Sequence, residues 1–345
     1  MQHSQPLVSI CLPAYNAGKT LMSTLQSILN QTYQNLEILI VDNASTDNTM
    51  SLLPQVNDPR LVIHRNERLI DGHENWSKCI QLATGEYIAV FHADDVYLPD
   101  MVEKQVQAFQ DNPSVGAVFT RANLINDRDE IIGGSKLPAK LRGKRVYHFP
   151  EIFLSILEKG NFLTCPSCMV RGKLYKELAP FDVDRFGTCA DMDMWLRILK
   201  KGPIAVLDEK LMNYRVSTTH GSYQWRFFRT EEAAFFKVMD YYLSVESEVL
   251  HIPGSVLDKY EFQRSLDKIM RAMNHLNEGR SQEAKRLLRE SVSTRAFRGA
   301  MGNIGRPRTV AFWLCGILLL CSGHLRRRVA NGLRWLMHRL DRRVI

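Results

Sequence analysis

The sequence predicts an α/β protein, a doubly wound and mostly parallel sheet flanked by helices, with a C-terminal helical extension. Three observations predict it. Four short apolar runs alternate with helical text over the first hundred residues. Polar clusters stand where those runs end. From Trp225 to Ser293 the text is helical throughout. Right-handed crossovers between parallel strands turn such an alternation into a doubly wound sheet.

Each element has a local reason. Leu7–Tyr15 is apolar and β-branched, and the turn Asn16-Ala17-Gly18 leads into a helix with Leu21, Leu25, Ile28 and Leu29 on one face. Leu36–Asn43 is a continuous apolar run, as expected of a strand buried on both faces of a parallel sheet. Ser45, Thr46 and Asp47 offer N-caps for a second helix. Leu61–Asn66 and Tyr87–Phe91 read as the third and fourth strands, and Pro99 opens the next helix. Further on, Leu266, Ile269, Met270, Met273 and Leu276 form one helical stripe, Gly279 breaks it, and Ser281 is placed to cap the next helix.

Composition narrows the function classes. The chain has 345 residues and a net charge of +8. From Arg306 to Ile345 there are nine arginines, no lysine and one acid, so this tail alone carries an excess of +8. The rest is balanced, which argues against nucleic acid as a partner. Seven cysteines, an odd number, lie in apolar surroundings without a secretory signal, so a reducing compartment is expected. Cys165-Pro-Ser-Cys168 lacks a second pair or a His cluster for zinc, and these thiols read as packing residues.

In open α/β sheets ligands sit beyond the carboxyl ends of the strands. Pro13-Ala14-Tyr15-Asn16, Asp42-Asn43 and Asp94-Asp95 all fall there. The text PAYNAGKT excludes a dinucleotide fingerprint and a P-loop, because neither glycine pattern is present. Adjacent carboxylates such as Asp94 and Asp95 repel unless a cation or a shared proton separates them. Hard divalent cations prefer carboxylate oxygens and complete their shells with phosphate, which suggests a nucleoside diphosphate bridged by metal to Asp95.

The stretches VSICLPAYNAGKTLMSTLQSILNQTYQNLEILIVDNASTDNT, GHENWSKCIQLATGEYIAVFHADDVYLP, PSCMVRGKLYKELAPFD, CADMDMWLRIL and LMNYRVS resemble glycosyltransferase family 2, the inverting GT-A enzymes, over roughly residues 6–222. The resemblance implies a cell-envelope polysaccharide type of enzyme, moving a sugar from a nucleotide-sugar donor, a UDP-sugar above all, to a glycan or lipid-linked acceptor. By the same resemblance Pro13, Ala14, Tyr15 and Asn16 form the loop packed on the base, Asp42 hydrogen-bonds the base, and Ser45 and Asp47 lie beside it. Asp94 reaches the ribose, Asp95 holds Mg²⁺ or Mn²⁺, and Asp191 is the catalytic base. His220 is a further candidate for the diphosphate or metal, while Asp193 is structural and Trp76 and Trp195 belong to the core. This chain departs from the family in having His92 where many members carry an acid, and Ala190 where many carry Glu.

Two alternatives share parts of this pattern. A sugar-phosphate nucleotidylyltransferase would want a Gly-rich loop and a lysine near the N-terminus, where only Lys19 stands. A catalytically inactive GT-A domain acting as a membrane scaffold would not need Asp94, Asp95 and Asp191. The expected domains are a transferase domain over 1–225 (nucleotide half about 1–112, acceptor half about 113–225), a helical extension over 226–300, and a tail over 306–345. Val310–Cys321 is a twelve-residue apolar run, short of the roughly 20 residues that span a bilayer. With the arginines around Val329, Leu333, Leu336 and Leu340 it predicts a tail lying on the membrane surface, at the cytoplasmic face of the inner membrane, with a single spanning helix as the alternative if Trp313 and His324 sit at the interfaces.

Overall fold

A computed structural model describes residues 5–216, 228–246 and 248–301. His220 and the tail over 306–345 lie outside the described residues, so the expectations that rest on them are taken up only as proposals below. In chain order the elements are β1 (Val8–Ala14), α1 (Leu21–Leu29), β2 (Leu36–Asp42), α2 (Thr49–Leu52), β3 (Leu61–Arg65), α3 (Gly72–Leu82), β4 (Tyr87–Val90), β5 (Val96–Tyr97), α4 (Met101–Asp111), β6 (Ala117–Ile125) and β7 (Ile131–Gly134). They continue with β8 (Val146–Tyr147), α5 (Phe149–Lys159), β9 (Met169–Arg171), α6 (Gly172–Glu177), α7 (Val183–Phe186), α8 (Ala190–Lys201) and β10 (Ile204–Arg215). The last four are α9 (Ala234–Glu246), α10 (Gly254–Asn277), α11 (Ser281–Glu290) and α12 (Thr294–Met301).

One sheet takes all the strands, in the order β3-β2-β1-β4-β9-β6-β10-β5, with β7 on β6 and β8 on β10. The pairs β2–β3, β1–β2 and β1–β4 are parallel, as the alternation of strand and helix requires. Beyond β4 the sheet is mixed. The short strand β9 pairs antiparallel with both β4 and β6, and β10 then runs parallel to β6. Register sets the site: Ala14 lies opposite Asp42, and Asp42 opposite Arg65, so three strands end on one edge.

Packing explains why the first strands read so clearly. Val8, Ile10, Leu12, Ile38 and Ile40 are fully buried, and Leu21, Leu25 and Ile28 of α1 join the same core. Beside them Phe91 stacks on Tyr97 with centroids 3.7 Å apart, and Tyr87 stacks on Phe109 at 4.4 Å. Gly85 brings β4 against β1 so closely that a side-chain carbon there would lie 2.6 Å from the backbone nitrogen of Ser9. Removing that much apolar surface from water is the main stabilising term of the unit.

Contacts divide the chain into two compact units. The first holds residues up to Glu151 and Phe162–Arg215, the second Ile152–Asn161 with the described residues after Arg215. In the second unit Phe262, Ile269, Met273 and Leu276 of α10 pack with Leu287 and Leu288 of α11 and Ala296 and Ala300 of α12. Gly279 does end the predicted stripe, with φ +79. Ser281 is the first residue of α11 rather than its cap, and Arg280 precedes it without a side-chain capping bond.

Candidate functional site

The site is built on three strand ends. After β1, Asn16 turns the chain with φ 47, a left-handed conformation that Asn tolerates. Its backbone N–H donates to Ser45 Oγ at 2.9 Å, and its Oδ1 accepts from the N–H of Thr46 at 2.9 Å. Ala17 N–H donates to Thr49 Oγ1 at 2.8 Å and Gly18 N–H to Asp47 Oδ2 at 3.0 Å. The loops after β1 and β2 are therefore tied into one surface, on which Pro13 and Ala14 end the strand and Tyr15 stands half exposed. The N-cap of the four-residue α2 is Asn48, without a side-chain bond, rather than Ser45, Thr46 or Asp47, although Asp47 Oδ1 accepts from Thr49 N–H at 2.9 Å.

Asp42 is fully buried at the end of β2. Its Oδ2 accepts from Ser45 N–H at 3.2 Å and lies 3.2 Å from Arg65 Nε. Oδ1 is buried with no protein hydrogen-bond partner. An unpaired buried acceptor costs free energy, so Oδ1 is a position where a ligand N–H would be rewarded. The support beneath it carries no local sequence signal. Asn66 Nδ2 donates to Asn43 Oδ1 at 2.9 Å and to Asn75 Oδ1 at 2.8 Å, and Asn43 Nδ2 donates to Ile70 O at 2.8 Å.

The third strand end is the turn His92-Ala93-Asp94-Asp95, and its backbone is held at every residue. His92 N–H donates to Tyr97 Oη at 2.7 Å. Thr20 Oγ1 donates to Ala93 O at 2.8 Å, and Thr24 Oγ1 to Asp95 O at 2.7 Å. Arg215, at the end of β10, donates its Nε to Asp94 O and its backbone N–H to Asp95 Oδ1, both at 2.8 Å. Its remaining nitrogens reach Asn126 O at 3.0 Å and Asp129 Oδ1 at 2.6 Å. Sequence reasoning missed this clamp; the only signal was an arginine inside the quoted LMNYRVS motif.

Asp95 is fully buried, and its Oδ2 has no protein hydrogen-bond partner. Burial, then the charge of Asp94, pushes its carboxyl well above the usual carboxylate range, against the pull of Arg215. A divalent cation fits here, because the turn presents an orphaned oxygen in a dry setting beside a second carboxylate. His92, Asp94 and Asp95 bring one ligand atom each within 4.8 Å of one another.

Asp191 lies in the first turn of α8, and its Oδ1 accepts from Met192 N–H at 2.7 Å. Burial raises its affinity for a proton, with Met192 N–H and the charge of His73 opposing. The fields of Asp95 and Asp191 both reach the partly buried Cys165 thiol, and those of Asp94, Asp95 and Asp191 reach the phenol of Tyr214. Asp94, Asp95 and Asp191 thus lie within electrostatic reach of the same phenol, while Asp42, Ser45 and the Pro13–Asn16 loop stand at the ends of β1 and β2. Asp193 is buried and paired with Arg197 at 2.8 Å. Trp195 is in the core, but Trp76 is only half-buried: its ring lies 4.7 Å from His73, 5.1 Å from His92 and 5.7 Å from Phe181.

A mixed sheet with acids on its carboxyl edge, backed by helices, defines a GT-A type of transferase. Residues 9–179 match the model described as Glycosyl transferase family 2. "Putative glycosyltransferase EpsE" of Bacillus subtilis is 32% identical over 209 residues, covering 58% of this chain and 69% of the relative. The Escherichia coli UDP-Glc:alpha-D-GlcNAc-diphosphoundecaprenol beta-1,3-glucosyltransferase WfaP is 28% identical over 197 residues, covering 57% and 71%. The fold is similar to that of S. aureus TarS 1-349 in complex with UDP, with TM-score 0.56 and 16% identity over 97% of this chain and 91% of that one. It is also similar to the mannosyltransferase PcManGT from Pyrobaculum calidifontis in complex with GDP-Man and Mn²⁺, with TM-score 0.52 and 17% identity over 98% and 88%. The chain belongs to glycosyl transferase family 2 and is a glycosyltransferase.

The clamp yields a stability prediction. Arg215→Met leaves the carbonyls of Asp94 and Asn126 without this donor and should cost about 2–3 kcal/mol in a thermal or denaturant melt. Asp129→Asn removes only an exposed partner and should cost less than about 1 kcal/mol. Equal effects from the two variants would show that Arg215 is not holding the turn.

Proposed function

We propose that the chain moves a sugar from a nucleotide-diphosphate donor, a UDP-sugar, to a glycan or lipid-linked acceptor with inversion of configuration. The observation that carries the reading is the pair of orphaned buried oxygens, Asp42 Oδ1 and Asp95 Oδ2, at the end of β2 and after β4, the two strands that flank β1. The first suits the N–H of a base and the second a cation. WfaP, by its name, uses UDP-Glc and a diphosphoundecaprenol-linked sugar, which supports a lipid-linked acceptor here.

Each group has its role in this reading. The loop Pro13–Asn16 packs on the base, Asp42 accepts from it with Ser45 alongside, and Asp94 binds the ribose. Asp95 holds Mg²⁺ or Mn²⁺, with His220 as a further contact to the metal or diphosphate. Such a cation neutralises the charge that develops on the leaving diphosphate. Asp191 takes the proton of the acceptor hydroxyl as that oxygen attacks an oxocarbenium-like sugar. With the base on the opposite side of the sugar from the leaving group, the product is inverted. The transferase domain in this reading is 1–225, with the nucleotide half about 1–112 and the acceptor half about 113–225, followed by a helical extension over 226–300.

The tail over 306–345 is the proposed attachment to the cytoplasmic face of the inner membrane. Among the described residues no helix is long and apolar enough to cross a membrane. Its arginines attract anionic headgroups at about 1 kcal/mol each near the surface. Apolar burial of Val310–Cys321 adds about 25 cal/mol per Å², which salt does not screen.

Two tests follow from these roles. Asp191→Asn should lower transfer by about 10²–10⁴-fold while leaving donor binding nearly intact. Because the base works only when ionised, wild-type turnover should fall as pH drops through a pKa above the ordinary carboxylate value, and the variant should lose that limb. Collapse of donor affinity in Asp191→Asn would instead assign this residue to the nucleotide site. In co-sedimentation with anionic phosphatidylglycerol vesicles, the full chain should bind in a way that high salt weakens without abolishing. A chain ending before Arg306 should not bind, yet should still hydrolyse donor slowly. A full-length chain indifferent to such vesicles would overturn the membrane assignment.

A further inference from the structure

We propose that the imidazole of His92 is a direct ligand of the cation at the Asp94-Asp95 turn, and that this nitrogen makes the site favour a transition-metal ion such as Mn²⁺ over Mg²⁺. The inference rests on the cation reading above and adds a ligand and a selectivity to it.

The geometry points this way on three counts. His92 Nδ1 lies 3.9 Å from Asp95 Oδ2, too far for a hydrogen bond. Metal–ligand bonds of about 2.0–2.2 Å hold two donors of one ion roughly 3.0–4.2 Å apart, between right-angle and opposite placement. The observed separation is inside that interval, so the two atoms are spaced to serve one ion. Asp95 Oδ2 is buried with no protein hydrogen-bond partner, so the oxygen facing the imidazole is the one left for a ligand. Asp94 completes a group of three whose ligand atoms lie within 4.8 Å of one another.

The residue is also held in place. The His92 backbone N–H donates to Tyr97 Oη at 2.7 Å, and the imidazole packs on the Trp76 indole with centroids 5.1 Å apart at 36°. A fixed imidazole loses little freedom on binding a metal. Two carboxylates alone would offer only hard oxygen, which suits Mg²⁺ as well as Mn²⁺. Replacing an oxygen donor with nitrogen penalises Mg²⁺, which keeps an oxygen shell and dehydrates reluctantly, and follows the rising affinity of N/O sites along the first-row metals.

The test is a spectroscopic one on the metal itself. Mn²⁺ is added to the full-length untagged chain, alone and with UDP, and examined by pulsed electron paramagnetic resonance. A directly bound imidazole should give ¹⁴N modulation that changes to the ¹⁵N pattern in protein labelled with ¹⁵N-histidine. The modulation should vanish in His92→Gln and in His92→Asp when each is combined with His220→Ala, which removes the other imidazole proposed near the metal; all of these should still fold. In competition titrations wild type should prefer Mn²⁺ to Mg²⁺ by at least about tenfold, and His92→Asp should bring the two closer together. Mn²⁺ binding that Asp95→Asn abolishes but that shows no nitrogen modulation would overturn the His92 assignment and leave the cation reading intact. Modulation that survives in both of these double variants would overturn it too. Absence of any Mn²⁺ binding sensitive to Asp95→Asn would instead sink the cation reading itself.

Discussion

The structure depends on holding two adjacent carboxylates still at the end of β4. Side by side they repel, and one of them is taken out of water, where an unpaired charge is most costly. The protein meets this cost with hydrogen bonds to the turn and with the charge of the nearby Arg215 guanidinium. The hydroxyls of Thr20 and Thr24, the phenol of Tyr97 and the guanidinium and amide of Arg215 all engage the turn. One oxygen of Asp95 is satisfied by an amide, and the other is left dry and bare. The arrangement is rigid and half-satisfied at once, which is what a preorganised ligand position requires.

The same logic recurs at Asp42. One oxygen is occupied by Ser45 N–H and Arg65, and the other is buried without a protein partner. Here the support comes from crossed loop contacts and from the buried amides of Asn43, Asn66 and Asn75. In the proposed mechanism Asp191 differs from both. It is set in the first turn of a helix, where the Met192 N–H and the Cys165 thiol bond its carboxylate and burial raises its affinity for a proton. A base that takes a proton near neutral pH is served by a pKa raised in this way.

Much of this was legible in the sequence because the first four strands are local and strongly patterned. Buried parallel strands read as continuous apolar runs, and their polar ends named Asp42, Asp94 and Asp95 before any contact was known. What was not legible is long-range. Arg215 stands 120 residues from Asp95, and nothing in its neighbourhood announces that its main chain and side chain grip the Asp94-Asp95 turn. The antiparallel strand β9 is three residues long, too short for any periodic signal. His92 looked like a gap in a family pattern, yet its ring belongs to the cluster that could hold a metal. Trp76 was expected in the core, whereas its half-buried ring leans on His92, because an aromatic side chain's burial is fixed by its neighbours and not by its own text.

The central claim is that Asp95 and a cation together create a site for a nucleoside diphosphate. Calorimetric titration of UDP into the wild-type chain and into Asp95→Asn, each with Mn²⁺ and with EDTA, tests it most directly. The account predicts saturable binding to wild type with Mn²⁺, weakened at least about tenfold by EDTA or by the substitution, with no further loss when the two are combined. Equal UDP affinity under all four conditions would contradict it.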